Sequence, residues 1–227
     1  MDRNEEKKAA VRRFHTATFD NIGEDKREAL LAVALSEFAD KGFSATSVNA
    51  LARRAGVSIG SLYSYFPSKE DLFLTVAARG HDLLERAIGD IDPEGPFAET
   101  FGLLLRRARD YARSNPELNL VYLDATTQGL RHLSERLSGS LESLSSDLYH
   151  KMLEAAILRG EARAGLEVGP AAFCLDNLIL LFQFSFASDY YRERLRIFLG
   201  LGEGEAMDEE ALMASIVEFA RRAVCGA

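Results

Sequence analysis

Apolar residues recur at helical spacing through most of this chain, and no useful length of strand-like alternation interrupts them. In the segment 24–41, EDKREALLAVALSEFADK, Leu30, Val33, Ala34 and Phe38 share one face. Acids open that segment, where the positive end of a helix dipole favours them. Gly42 follows as a natural stop. Val48, Leu51, Ala52 and Ala55 then form an i, i+3, i+4, i+7 stripe of about two turns, with Thr46 as the expected N-cap. Gly56 suits a left-handed turn. Ser58 can cap a second helix, kept short because Pro67 disfavours helical backbone in the residue before it. Ser68, with Asp71 three residues on, starts a longer helix whose face is Phe73, Val76, Ala77, Gly80, Leu83, Leu84 and Ala87. Residues 46–65 therefore read as helix, tight turn, short helix, with a supporting helix on each side.

The Asp-Pro-Glu-Gly-Pro run at 92–96 is a turn cluster and the expected domain boundary. Beyond it the pattern stays helical. Leu133, Leu137, Leu141, Leu144, Leu148, Met152 and Ala155 make a sustained apolar seam, which Gly160 and Gly165 end. A long helix is expected over about 170–188, with Pro170 at its first turn. Gly200, Gly202 and Gly204 mark a loop, and 208–224 reads as a last amphipathic helix. The expectation is an all-α fold: an extension over 1–23, a helix-turn-helix domain over 24–88, and a larger helical domain over 89–227.

Composition permits one large domain or a small one joined to a larger one: 227 residues, 47% hydrophobic, enough for a core. The two cysteines, Cys174 and Cys225, have no metal-ligand spacing and read as small buried hydrophobes in a reducing compartment. The charged N-terminus lacks the apolar run of a signal peptide. The most apolar window, AAFCLDNLILLFQFSFA, is too short and too polar to span a bilayer. A cytoplasmic protein without membrane contact is expected.

The net charge of −8 argues against general nucleic-acid binding, but its distribution changes the picture. The 29 residues from Lys41 to Lys69 hold four cations and no acid, so the rest of the chain carries −12. A cationic island on an acidic body suggests one surface that faces an anion.

A helix-turn-helix lays its second helix in the DNA major groove. Close approach needs small residues there, which Ser58, Gly60 and Ser61 provide. Phosphate oxygens need donors, and Thr46, Ser47, Tyr63, Tyr65 and Lys69 are placed to supply them. Tyr63 and Tyr65 lie about 200° apart on a helix, so both cannot join the core face of Leu62 and Phe66. A plain helical hairpin explains neither that nor the missing acids.

The stretch ATSVNALARRAGVSIGSLYSYFPSKEDLF resembles the DNA-binding module of the TetR family of transcriptional regulators. The likeness covers roughly 24–72. It rests on Gly42-Phe43, Thr46, Leu51-Ala52, Ala55-Gly56-Val57-Ser58, Gly60-Ser61-Leu62-Tyr63, Tyr65-Phe66 and Ser68-Lys69-Glu70-Asp71-Leu72. Residues 1–23 lie outside it, as an arm or a disordered tail. The resemblance implies that Thr46 and Ser47 contact phosphate and that Ser58, Ile59, Gly60 and Ser61 enter the groove. Tyr63 and Tyr65 would then meet phosphate or base edges, and Lys69 the backbone. Ile59 is apolar where base reading needs hydrogen bonds. It can touch a thymine methyl, leaving part of the readout to DNA shape.

One short recognition helix covers too little DNA for tight specific binding, so two copies are expected. The helix near 170–188, apolar on nearly all sides, and that at 208–224 are the candidate homodimer interface, and the resemblance implies the same pair. RERLRIFL, 192–199, is a solvated helix face or a cap on that interface.

The resemblance also implies a ligand cavity in the body. Tyr122, Gln128, His132, Tyr149, Met152, Asn177, Gln183 and Phe184 are candidates for lining it, as polar or soft residues on apolar helices. They suit a hydrophobic or aromatic small molecule. Tyr111 and Asp124 share that pattern.

The four histidines, His15, His81, His132 and His150, are scattered without metal-binding pairs. No nucleophile elbow, P-loop or dinucleotide fingerprint occurs. No catalytic site, metal or cofactor is expected. A DNA-packaging protein would want a basic body, and this one is acidic.

Overall fold

The computed structural model describes residues 13–127 and 131–226, and within them the side chains of all but 81, 127, 131, 132 and 134–144. Among the described residues every regular element is a helix. In chain order these are α1 (Ala17–Asp20), α2 (Glu24–Ala45), α3 (Val48–Arg54), α4 (Ile59–Tyr65), α5 (Lys69–Ile88), α6 (Phe97–Ser114), α7 (Pro116–Thr127), α8 (Arg131–Leu158), α9 (Val168–Phe184), α10 (Asp189–Phe198) and α11 (Glu209–Cys225). The all-α architecture follows the helical periodicity of the sequence.

The chain packs as two units, residues 1–80 with 121–134, and residues 81–120 with 135–227. The division falls inside α5. That helix runs unbroken through residue 80.

In the first unit, Leu30, Ala34, Phe38, Leu51, Leu62, Phe66, Leu72 and Phe73 are all buried. The Phe38 and Phe43 rings meet Phe73 edge to face, with centroids 5.1 and 5.2 Å away. Gly42, with φ of 73° and ψ of 166°, breaks the helical run of α2, so the stop expected after residue 41 is real. Gly56, at φ of 66°, makes the turn between α3 and α4. The Ser58 side chain caps α4 by accepting the Ser61 N–H at 2.9 Å. Ser68 caps α5 in the same way, accepting from Asp71 N–H at 3.0 Å and donating its hydroxyl to the Asp71 carboxylate at 2.7 Å. Such caps contribute about 1 kcal/mol each.

In the second unit, α6 packs against α9 and α11. Phe97, Phe101, Leu105, Met152, Leu153 and Ala220 form its centre. Pro170 sits in the first turn of α9, which starts two residues earlier, at Val168. The helix expected to reach about 188 ends at Phe184, and α10 starts only at Asp189. Cys174, expected to be buried, is exposed, because it lies on the outer side of α9 beside Phe173. Of the seam on α8, Met152 is fully buried here and Leu133 is fully buried in the first unit, while the Leu137, Leu141 and Leu144 side chains lie outside the described residues. No single helix among the described residues is long and apolar enough to cross a membrane.

Candidate nucleic-acid interface

The second helix of the helix-turn-helix presents one edge outward. Ser58, Ile59, Gly60 and Tyr63 are exposed, and Ser61 is half-buried. Ile59 leaves 44% of its surface and Tyr63 47% uncovered, large values for apolar bodies that have a core beside them. A Cβ on Gly60 would meet only Ser58 Oγ, at an ordinary 3.8 Å. Among the described residues nothing in the packing requires glycine there, although glycine costs a helix about 1 kcal/mol against alanine.

Two predicted contacts turn inward. Thr46 was expected to cap α3 and meet phosphate. It is 4% exposed, and its hydroxyl serves the Gly42 carbonyl at 2.8 Å and the Glu37 carbonyl at 3.1 Å. It finishes α2, and the cap of α3 is its neighbour Ser47, whose Oγ accepts the Ala50 N–H at 3.5 Å. Ser47 is exposed and keeps its hydroxyl proton to give. Tyr65 was expected to reach outward beside Tyr63. Its ring is buried instead, because Phe19, from outside the module, lies 5.9 Å away and covers that side.

Lys69 is half-buried. Its ammonium donates to the Thr46 carbonyl at 2.9 Å and the Ser44 carbonyl at 3.4 Å, and sits 4.5 Å from the Phe43 ring centroid. It holds the corner between α2 and α3, which leaves at most one N–H for phosphate.

Sequence reasoning missed Glu37. Its carboxylate, 1% exposed, pairs with Lys41 at 2.7 Å on its own helix and with Arg54 at the end of α3. Hydrogen bonds from Lys41 and then Arg54 hold its pKa below the ordinary carboxylate value. The pair ties α3 to α2 and fixes where Arg54 points. An acid beside Phe38 and one turn from Ala34, on the buried stripe, was the signal for a cationic partner. Asp124, read with the polar residues of the body, also belongs to this unit. Its carboxylate accepts the Phe43 N–H at 2.6 Å, beside Gly42.

The residues expected around a ligand divide between the two units. Tyr122 falls in the first, while Gln128 and the His132 side chain lie outside the described residues. Tyr149, Met152, Asn177, Gln183 and Phe184 fall in the second. Met152 is fully buried in the core cluster. The Gln183 amide donates to Asn119 Oδ1 at 2.5 Å, with both residues buried. Asn177 donates to the Phe173 carbonyl at 2.7 Å, one turn back on its own helix. The Phe184 ring lies 5.4 Å from Tyr191. Burial, with a smaller push from the Asp176 charge, raises the Tyr149 phenol well above its ordinary pKa, so it stays protonated.

This helix order has known counterparts. The family described as bacterial regulatory proteins, tetR family, matches residues 30–76. Over that stretch the chain is similar to the TetR family. The HTH-type transcriptional regulator RutR of Escherichia coli O157:H7 is 31% identical over 144 residues, 62% of this chain. That match spans 63% of the length of RutR. A TetR-family regulator from Chloroflexus aurantiacus has the same fold, with a TM-score of 0.67 at 22% identity over 93% of this chain and 98% of its own. So has the transcriptional regulator FadR of Bacillus subtilis, in complex with stearoyl-CoA, with a TM-score of 0.67 at 21% identity over 88% and 98%. These TetR-family relatives are regulators rather than enzymes.

Proposed function

We propose that this protein is a ligand-responsive transcriptional repressor that binds a palindromic double-stranded operator as a homodimer. A small hydrophobic or aromatic effector, bound in the helical body, releases it. The observation that carries this reading is the exposed edge of α4, with small and hydroxyl residues over Ser58–Ser61, in a stretch without acid. Ser47, Ser58, Ile59, Gly60, Ser61 and Tyr63 form the contact surface, and Lys69 and Thr46 hold it in place.

Dimerisation is supported by the outer faces of α9 and α11, where Phe173 is 71%, Leu181 40% and Phe219 63% exposed. Burying such side chains contributes about 1.5–3 kcal/mol each. The effector class is supported by the apolar make-up of the second unit and by the stearoyl-CoA held by FadR.

The test is selection of duplexes from a randomised pool by the full chain. A palindrome should emerge, with half-sites about one helical turn or a multiple apart. Tyr63→Ala should weaken binding to it. Acyl and aromatic compounds should then be screened for a raised Tm and for release of the duplex. Binding to all duplexes alike, with no enriched sequence, would overturn the proposal.

A further inference from the structure

The acid-free window from Lys41 to Lys69 holds four cations, and the fold commits three of them. Lys41 donates to the Glu37 carboxylate at 2.7 Å. Arg54 donates to the other oxygen of that carboxylate. Lys69 is taken up by the Thr46 and Ser44 carbonyls, at 2.9 and 3.4 Å. Arg53 is the fourth. It is exposed, and among the described residues its side chain makes no hydrogen bond or ion pair. The charge that sets this window apart from an acidic chain is therefore offered outward by one uncommitted guanidinium.

Arg53 lies near the C-terminal end of α3, five residues before Ser58. Its backbone is fixed there. The Arg53 carbonyl accepts the Gly56 N–H at 3.2 Å, and the Ala52 carbonyl accepts the Val57 N–H at 3.0 Å, which closes the turn into α4. Leu51 and Ala52, both buried, anchor the inner side of α3. Asn49 stands one turn before Arg53, about 6 Å along the helix and on the same face. It too is exposed and without a side-chain partner among the described residues.

The edge of α4 has few donors of its own. The Ser58 and Ser61 hydroxyls bond each other at 2.8 Å, which leaves one proton between them. Ser64 spends its hydroxyl on the Ser61 carbonyl at 2.7 Å. Ile59 and Gly60 have no polar side-chain atom, and Tyr63 adds one phenol. Most hydrogen bonds to DNA go to phosphate and sugar, so an interface needs more donors than these.

We propose that Arg53, with Asn49 one turn before it, clamps a DNA phosphate on α3 beside the groove that α4 enters. The first helix of a helix-turn-helix crosses the DNA backbone, which makes phosphate the partner and not a base edge. A guanidinium meets two phosphate oxygens with parallel N–H groups, and the Asn49 amide donates alongside. The proposal rests on the reading of α4 as the recognition helix.

The test compares the full chain with Arg53→Gln, Arg53→Lys and Asn49→Ala on the duplex that the full chain selects, by fluorescence anisotropy across a salt series. With Arg53→Gln the slope of log K against log salt should fall by about 0.9 per protomer, and affinity near physiological salt by about fivefold per protomer. Arg53→Lys keeps the charge and should restore the slope. Asn49→Ala should weaken binding by about fivefold with the slope unchanged, since no charge is lost. Each loss should be the same on duplexes that differ by one base pair. Both side chains are exposed, so Tm should not move. An unchanged slope with Arg53→Gln would overturn the proposal. So would a loss confined to one base pair, which would make Arg53 a base reader. Tyr63→Ala separates the clamp from the reading beneath it. If Tyr63→Ala weakens binding and Arg53→Gln does not, the clamp alone is wrong. If neither does, or if no duplex is selected, the reading of α4 falls as well.

Discussion

The outer edge of α4 and the outer faces of α9 and α11 are both helix surfaces left exposed among the described residues, and their side chains differ in kind. On α4 the exposed residues are small or hydroxylated, with one isoleucine and one tyrosine among them. On α9 and α11 they include Phe173, Leu181 and Phe219. A polyanion keeps much of its water and is met by donors and close backbone approach. A second protein surface is met by excluding water from apolar rings. Exposure is thus a different statement in the two places, and each kind of side chain points to its own partner.

The largest effect should come from breaking the apolar side of this contrast. Phe173→Glu with Phe219→Glu should weaken self-association by about a thousandfold, if each of the four rings in a homodimer is worth about 1 kcal/mol. Sedimentation should then report a monomer whose helical content is unchanged. Next comes the division between two neighbouring tyrosines. Tyr65→Ala removes a buried ring and should cost about 3 kcal/mol of stability in a denaturant melt. Tyr63→Ala should change stability by less than about 0.5 kcal/mol and act on DNA binding alone.

A smaller effect tests what holds the polar side in shape. Because the Glu37 pKa is depressed, its stabilisation is complete above the ordinary carboxylate pKa and is lost as pH falls through the lower folded value. Glu37→Gln should lower Tm at neutral pH, and the gap to the unmodified chain should close as acid is added. Thermal melts followed by circular dichroism across pH give both numbers. The smallest effect concerns Ile59. Ile59→Val removes one methylene and should cost at most about 0.8 kcal/mol of operator affinity, about fourfold. That loss should vanish when deoxyuridine replaces the contacted thymidine, since the methyl is then gone from the DNA.

The features legible in the sequence are those decided by near neighbours. Gly42, Gly56, Ser58 and Ser68 end or start helices by local backbone chemistry, and the structure uses all four as expected. Leu62 and Phe66 are buried because helical spacing puts them with Leu51 and Phe73. Thr46 and Ser47 were confused because both can cap, and only the Glu37 and Gly42 carbonyls behind Thr46 separate them. Tyr65 was misread because its cover, Phe19, comes from 46 positions away and outside the family pattern. Arg54, 17 positions from Glu37, was hidden for the same reason. The ligand candidates were chosen by residue type, which does not say which of them share a unit.

The carboxylate of Asp124 beside Gly42 bears on how this protein can be cut and rejoined. Residues 121–134 belong to the first unit although they lie far downstream of α5. A fragment ending at residue 88 would leave the Phe43 N–H without its acceptor. It would also remove Val121 and Ala125, which are buried. Chimeras that graft this helix-turn-helix unit onto a foreign domain should therefore carry residues 121–134 along with it. A junction placed after residue 88 alone should yield a head that opens at the corner between α2 and α3.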